Sequence, residues 1–230
     1  MSKIHNEYNC VGCAFKSPMF SLLTNEELGQ IDRHRVEVEY HPGETIIKQG
    51  TACTHVISFA KGLAKMYLEG EDKNVLFRIV VPGDFISGTG LFVNNRHHYT
   101  LKALRESSVC LIESTVFVEI LRSNQQFWDE YLKHTQTRQI FYMDKLLRLS
   151  QKNGRGRIAD VLLYLTNDIY KKQAFEMDLS TAELAEMTSM SKESAAKILK
   201  EFGQEGIIHT DDKIMKIGNV ALLQQISKRG

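Results

Sequence analysis

The stretch from Leu179 to Ile208 reads LSTAELAEMTSMSKESAAKILKEFGQEGII. Its residue order predicts two helices joined by a tight turn. Ser180 is a good N-cap, and Glu183 three residues later completes a capping box. Leu184 and Ala185 then fall on one face, and Ala185 is small enough for a second helix to cross closely. Thr188, Ser189 and Met190 supply the turn. Ser191 caps a second helix with an apolar stripe of Ala195, Ile198, Leu199 and Phe202. Lys192, Glu193, Lys197 and Lys200 occupy its other face. This is the layout of a helix-turn-helix, whose second helix offers its first turns to a DNA major groove. Gly206–His209 and Lys213–Ile217 follow as two short strand-like runs, with Thr210, Asp211 and Asp212 as turn residues between them. A two-stranded ribbon directly after a recognition helix is a wing.

Outside this stretch the 230 residues leave room for a second core. The composition, 43% hydrophobic and 25% charged, is that of an ordinary globular chain. No apolar run reaches the roughly 20 residues needed to cross a bilayer. Met1–Asn9 is too polar for a secretory signal, so the expected compartment is the cytoplasm. A net charge of +1 neither favours nor excludes nucleic acid, because phosphate contacts depend on where the cations lie. The chain has no nucleophile elbow, HExxH, Walker loop or paired-carboxylate signature, which argues against an enzyme. In a cytoplasmic chain the four cysteines, Cys10, Cys13, Cys53 and Cys110, argue against a disulfide framework.

Residues 1–20 read as irregular. Thr24 and Glu27 then open a short helix with Leu28 and Ile31 on one face. From Val36 to about Leu111 the pattern changes to short β-rich runs between glycines. Val36, Val38 and Tyr40 alternate with charged residues, His55–Phe59 and Val75–Val81 are apolar runs, and Gly70–Lys73 is a turn. Strands spaced near ten residues apart predict an all-β sandwich or barrel. A long helical stretch from about Thr115 to Gln151 follows, broken near Ser123–Asn124. Along it Trp128, Leu132, Thr135, Gln139, Tyr142, Leu146 and Leu149 step by four and three, a heptad seam. Such a seam packs on its own β domain or on a twin helix. Asn153–Gly156 then reads as a hinge, and Ile158, Leu162, Leu163, Leu165 and Ile169 give the next helix an apolar face.

This order of parts resembles the CRP/FNR family of transcription regulators over nearly the whole chain. The most specific matches are Val81-Pro82-Gly83-Asp84-Phe85-Ile86, Gly90-Leu91-Phe92, Gly156-Arg157-Ile158-Ala159 and Ser191-Lys192-Glu193-Ser194. The resemblance implies an α+β chain with three parts. Residues 1–115 would form an N-terminal double-stranded β-helix, jelly-roll-like, as a cyclic-nucleotide-binding-like sensor. Residues 116–152 would be a dimerisation helix, pairing through 128–149, and residues 153–230 a winged helix-turn-helix. The implied partners are double-stranded DNA, a second copy of the chain and RNA polymerase, with no membrane.

By the same resemblance, Lys192, Glu193 and Lys197 read bases. A lysine donates to guanine O6 and N7, and a glutamate accepts from a cytosine amino group. Thr181, Ser191, Ser194 and Lys200 serve the phosphate backbone. Relatives more often carry arginine at the two lysine positions, and lysine lacks arginine's bidentate fork. The effector pocket falls on Ser87, Gly88, Thr89, Gly90, Arg96, His97, His98 and Tyr99, with Tyr142 from the long helix. Gly88 stands where cyclic-nucleotide-binding members carry a glutamate for the ribose, and His98 where they carry the phosphate-binding arginine. Cyclic AMP is therefore not the expected effector. Arg96, His97 and His98 suit another anion or, as a lesser alternative, haem, and the effector itself is not named.

The cysteines support a competing reading. Iron–sulfur members hold a [4Fe–4S] cluster with three N-terminal cysteines and one from the β domain. Cys10, Cys13 and Cys110 match three of those places, while Met19 stands near the fourth. A Cys10/Cys13 dithiol switch is a second redox reading, and an inert strand cysteine at 110 is the plain one. A ligand-binding module without DNA function is the rival of a different class, and it would lack salt-dependent duplex binding.

Overall fold

The strands that the recurring glycines delimit form two antiparallel sheets. The structure, a computed structural model, describes Ile4–His5 and residues 9–230. In chain order the first elements are β1 (Ile4–His5), a 3-10 turn (Pro18–Leu22), α1 (Asn25–Arg33), β2 (Arg35–Tyr40), β3 (Thr45–Ile47), β4 (His55–Lys61) and β5 (Ala64–Leu68). Then come β6 (Val75–Val80), β7 (Phe85–Ile86), β8 (Thr100–Ala103), β9 (Ser107–Glu113), α2 (Ser114–Ser123) and α3 (Gln125–Gln151). One sheet has the order β1-β2-β9-β4-β7 and the other β3-β8-β5-β6. This is the expected β sandwich. The irregular start expected for residues 1–20 lies partly outside the described residues. Of the rest, Ile4 and His5 pair with Val38 and Glu37.

Local signals place the first elements. Thr24 and Glu27 form the reciprocal capping box at α1, an arrangement worth about 1 kcal/mol. In β2 the alternation is imperfect: Val36 is exposed and Arg35 is buried. The long helical stretch breaks at Asn124, whose side-chain oxygen accepts from the Phe127 N–H at 3.0 Å to start α3. Phe20, Phe85, Phe117, Phe127 and Tyr131 meet in the core beneath α2 and α3, with Phe85 and Phe117 centroids 5.0 Å apart. Edge-to-face and tilted aromatic pairs of this kind hold the first turns of α3 onto the sandwich.

The contacts divide the chain into two compact units, one built mainly from residues up to Glu69 with Arg78–Ile140, the other from Gly70–Phe77 with Phe141–Gly230. The second unit contains α4 (Gly154–Tyr164), which runs into a π-helical turn (Leu165–Ile169). It continues with β10 (Ala174–Glu176), α5 (Thr181–Thr188), α6 (Lys192–Gln204), β11 (Ile208–Asp211), β12 (Ile214–Ile217) and α7 (Val220–Arg229). The wing is three-stranded, in the order β10-β12-β11. The helical run breaks at Lys152–Asn153, next to the expected hinge, and Gly154 and Gly156 lie inside the first turn of α4. They are sites of close packing, since a Cβ on Gly156 would stand 2.7 Å from the Gly230 Cα.

The heptad seam divides between packing within the chain and solvent. Trp128 and Tyr131 pack on the core of the first unit, and Tyr142 meets Phe77 edge-on at 5.3 Å. The large apolar residues that α3 leaves in solvent are Leu132, Ile140, Met143, Leu146 and Leu147, each between 41% and 69% exposed. The free stripe keeps Leu132 and Leu146 of the seam and adds Ile140, Met143 and Leu147, while the aromatic members Trp128 and Tyr142 pack within the chain. Among the described residues no helix is long and apolar enough to cross a membrane.

Candidate nucleic-acid interface and effector pocket

The helix-turn-helix forms as its caps direct. The Ser180 hydroxyl accepts from the Glu183 N–H, and the Glu183 carboxylate accepts from the Ser180 N–H at 2.7 Å. Ser189 closes α5 in the left-handed region, φ 52°. Thr188 at the end of α5 is fully buried, and its carbonyl accepts from Arg157 Nη1 at 2.9 Å. That bond ties the turn to α4 and was not visible in the sequence. The Ser191 hydroxyl accepts from the Ser194 N–H to start α6. Ala195 and Phe202 are buried against the rest of the unit, and Arg155 lies over the Phe202 ring at 4.8 Å while pairing with Glu201 and Glu205. These contacts fix which face of α6 points outward.

That outward face carries Ser191, Lys192, Glu193, Ser194, Lys197 and Lys200, all exposed. The first four crowd the N-terminus of α6, where N–H groups and the helix dipole favour anions. Its own backbone N–H, and then the Ser191 hydroxyl, hold the Glu193 carboxyl below its ordinary value. Glu193 therefore presents a charged acceptor, already engaged with the helix start. Thr181, at the first position of α5, is half-buried. It lines a cleft of about 700 Å³ with Ser180, Lys200, His209 and Lys213. The cleft runs between the two helices and the wing, so the wing residues His209 and Lys213 join the set that the sequence proposed.

In the β unit, backbone hydrogen bonds lay residues 50–53 against 95–97. Gly50 N–H donates to His97 O, His97 N–H to Thr51 O, and Cys53 N–H to Asn95 O, at 2.8–3.0 Å. This juxtaposition sorts the predicted pocket. His97 is buried, 7% exposed, beside buried Tyr99, and burial lowers its pKa. His98, which the resemblance placed at the anion, is exposed and bonds Asn94 Oδ1 at 3.1 Å. Arg96 is exposed and donates to Gly50 O at 2.7 Å. Thr89 and Gly90 lie in the turn that follows, where Gly90 O accepts from Val93, Asn94 and Asn95. Gly88 has φ 79°, and a Cβ there would stand 2.8 Å from Cys53 Sγ and 3.1 Å from His97 Nδ1. Where a ribose-binding glutamate would project, this chain places a thiol and an imidazole. Tyr142 lies in the second unit, where it meets Phe77.

The loop after β7 is joined to α3 by contacts that sequence reasoning missed. Tyr131 Oη donates to Ser87 Oγ at 3.1 Å, His134 Nε2 lies 3.2 Å from Phe85 O, and Arg138 Nη2 donates to Asp84 Oδ1 at 2.8 Å. Their spacing along α3, three and then four residues, is the only sequence signal that could have found them.

The three matched cysteines share one neighbourhood. Cys10 and Cys110 interact electrostatically, as do Cys110 and Cys13. Between them lies buried Arg35, whose Nη1 donates to Cys110 Sγ at 3.7 Å. The Asp32 carboxylate accepts from both Arg35 Nε and the Cys10 N–H. Burial pushes the Cys10 thiol up to about 12 and the Cys110 thiol up to about 11. A guanidinium stands at one of these thiols, and the fourth cysteine, Cys53, lies at Gly88 and not among them. Among the described residues no three His, Cys, Asp or Glu side chains are placed to hold a metal ion. As arranged, Cys10, Cys13 and Cys110 do not fit an iron–sulfur cluster.

Two known families match the chain. The cyclic nucleotide-binding domain matches residues 37–124, and the Crp-like helix-turn-helix domain matches residues 156–226. A probable transcriptional regulator flp from Lacticaseibacillus casei is 25% identical over 90% of this chain and 94% of its own. The cAMP-activated global transcriptional regulator Vfr of Pseudomonas aeruginosa is 22% identical over 86% of this chain and 98% of its own. The solved structure of FixK2 from Bradyrhizobium japonicum superposes with a TM-score of 0.76 at 18% identity, covering 84% of this chain and 96% of that one, which shows a shared fold. The β sandwich, the helix-turn-helix with its wing and these matches in both units agree, and the chain belongs to the CRP/FNR family of transcription regulators.

Proposed function

We propose that this regulator binds a two-fold symmetric DNA site as a homodimer and answers to a signal other than cyclic AMP. The observation that carries the DNA reading is the outward face of α6. Caps and a buried opposite face fix it, and Lys192, Glu193 and Lys197 stand exposed within its first two turns. The α3 stripe of Leu132, Ile140, Met143, Leu146 and Leu147 supports pairing, because a run of large apolar side chains in water calls for a partner. Two copies so joined carry two recognition helices. On one face of B-DNA, half-sites are then centred about 10 base pairs apart. In this reading residues 1–115 sense, 116–152 pair and 153–230 bind DNA.

The cyclic-nucleotide reading is disfavoured by Gly88, Cys53 and His97. A side chain at Gly88 would meet a thiol and an imidazole, and the phosphate-binding arginine of the cyclic-nucleotide members is replaced by exposed His98, which lacks the guanidinium's fork. Selection from a random duplex library tests the DNA reading and calorimetry with cyclic AMP the second. Recovery of asymmetric sites only would end the dimeric reading. Micromolar cyclic AMP binding that tightens the DNA complex would end the other.

A further inference from the structure

Cys53 and His97 bear chemistry that the DNA-binding function does not use. Cys53 is completely buried and His97 is 7% exposed. The backbone pairing of residues 50–53 with 95–97 puts both side chains against Gly88, within 3.1 Å of the point where its Cβ would lie. His97 Nδ1 has no hydrogen-bond partner although it is shut off from solvent. An orphaned buried acceptor of this kind costs about 1–3 kcal/mol unless something occupies it.

We infer that Cys53 Sγ and His97 Nδ1 form a two-coordinate site for a monovalent soft metal ion, of which copper(I) is the biological representative. Cys53 Sγ and His97 Nδ1 stand 2.8 and 3.1 Å from the same point beside Gly88, which places both donors around one small space. Soft thiolate ligands suit copper(I) and zinc among the common metal ions, and two ligands fall short of zinc's four. Charge makes the same choice. A thiolate, a neutral imidazole and a monovalent ion sum to zero, the one total that a buried apolar site accepts without a counter-ion. Zinc would keep a net charge and lack two of its four ligands, and no third His, Cys, Asp or Glu stands in position among the described residues.

Binding breaks the Cys53 S–H bond, forms the sulfur–metal bond and releases the proton to solvent. The Nδ1 lone pair completes the coordination, and nothing is oxidised or reduced. A cavity of about 400 Å³ lined by Ile47, Thr51, Ala52, Thr54, His55 and His97 gives a route inward. Gly88 adjoins Ser87, which accepts from Tyr131 of α3, so the site sits one residue from the helix that the proposed dimer uses.

The test is uptake of copper(I) by the full-length chain without oxygen, against a chromophoric copper(I) chelator. Cys10, Cys13 and Cys110 are first replaced together by serine, because the other thiols of the chain also take up copper. The expected result is one equivalent per chain, X-ray absorption from one sulfur and one nitrogen neighbour, and loss of uptake in both Cys53→Ser and His97→Ala. No uptake in the three-serine background overturns the site, as does sulfur-only coordination or uptake that survives both substitutions. The absorption spectrum is taken on the three-serine protein alone, so misfolding of a Cys53 or His97 variant cannot decide the outcome. DNA is absent, so failure here leaves the proposed function standing, and the converse also holds.

Discussion

Arg138 of α3 donates from Nη2 to Asp84 Oδ1 at 2.8 Å, and the same oxygen pairs with buried Arg78. Asp84 lies in the turn leading into β7, so one carboxylate joins the sandwich to the helix. Removing it strands the Arg78 guanidinium in the interior, and breaking a buried pair from one side costs about 3–5 kcal/mol. Asp84→Ala should therefore lower the denaturation midpoint sharply. Arg138→Ala, whose side chain is one-third exposed, should lower it far less. Equal effects from the two would show that Asp84 is not the shared anchor.

His134 contributes a dependence on pH. Burial lowers its pKa, with the Arg138 charge adding to the effect. The folded state thus favours the neutral ring, and the unfolded ring takes up its proton first as pH falls. Stability from His134 is full above the unfolded value of about 6.5 and is lost as pH drops below it toward the lower folded value. His97 acts in the same sense. Urea midpoints between pH 7 and 5 should fall for the wild type and fall less for His134→Gln, which keeps a donor for Phe85 O. Parallel curves would exclude the histidine contribution.

The dimer surface distinguishes the two seams. Met143→Glu with Leu147→Glu places charge on the exposed stripe and should give monomers in sedimentation equilibrium. Substituting Gln139 and Leu149, members of the sequence seam only, should leave the dimer intact. The reverse result would restore the heptad register read from the sequence.

Cysteine reactivity should follow burial. Cys13 is half-exposed, whereas burial holds the Cys10 and Cys110 thiols protonated and Cys53 is sealed. Iodoacetamide at pH 8 should modify Cys13 first, with the other three slow until the chain is unfolded. Rapid labelling of Cys110 in the folded protein would contradict the placement of Arg35 beside a protonated thiol.

Elements governed by local chemistry were legible in advance. The capping boxes at Thr24 and Ser180, the break near Asn124 and both helices of the DNA-binding motif follow from side chains within four residues of one another. Features set by distant partners were not. The sequence left open how the α3 seam divides, because Trp128 and Tyr142 look alike as apolar residues whether they face Phe92 and Phe77 or a second chain. The break at Asn153 was legible, but the close approach of Gly230, Ile198 and Met190 to Gly154 and Gly156 was not, because those partners lie far along the chain. The wing's third strand, β10, pairs with β12 across some forty residues, and no local pattern announces that pairing. In the effector pocket the sequence brought His97 and His98 forward together, and only the pairing of 50–53 with 95–97 separates the buried ring from the exposed one.

Base reading and backbone binding should separate within α6. Glu193 stands at the helix start and Lys200 two turns further on, beside the wing cleft. Glu193→Ala should reorder operator variants by about ten-fold at one base pair. Lys200→Ala should weaken all sequences alike and reduce the salt dependence by about one ion. Unchanged ranking with Glu193→Ala would mean that another face of α6 meets the bases.

The account turns on two recognition helices engaging one duplex, and fluorescence anisotropy of a labelled, selected operator across a salt series measures that directly. Two chains should bind per duplex. Affinity should fall steeply and linearly on a log–log plot as salt rises, as expected when several phosphates are neutralised together. Inserting five base pairs between the half-sites should abolish the tight complex by turning one site to the far side of the helix. One chain per duplex, an affinity insensitive to salt, or indifference to the insertion would contradict the dimeric DNA-binding account.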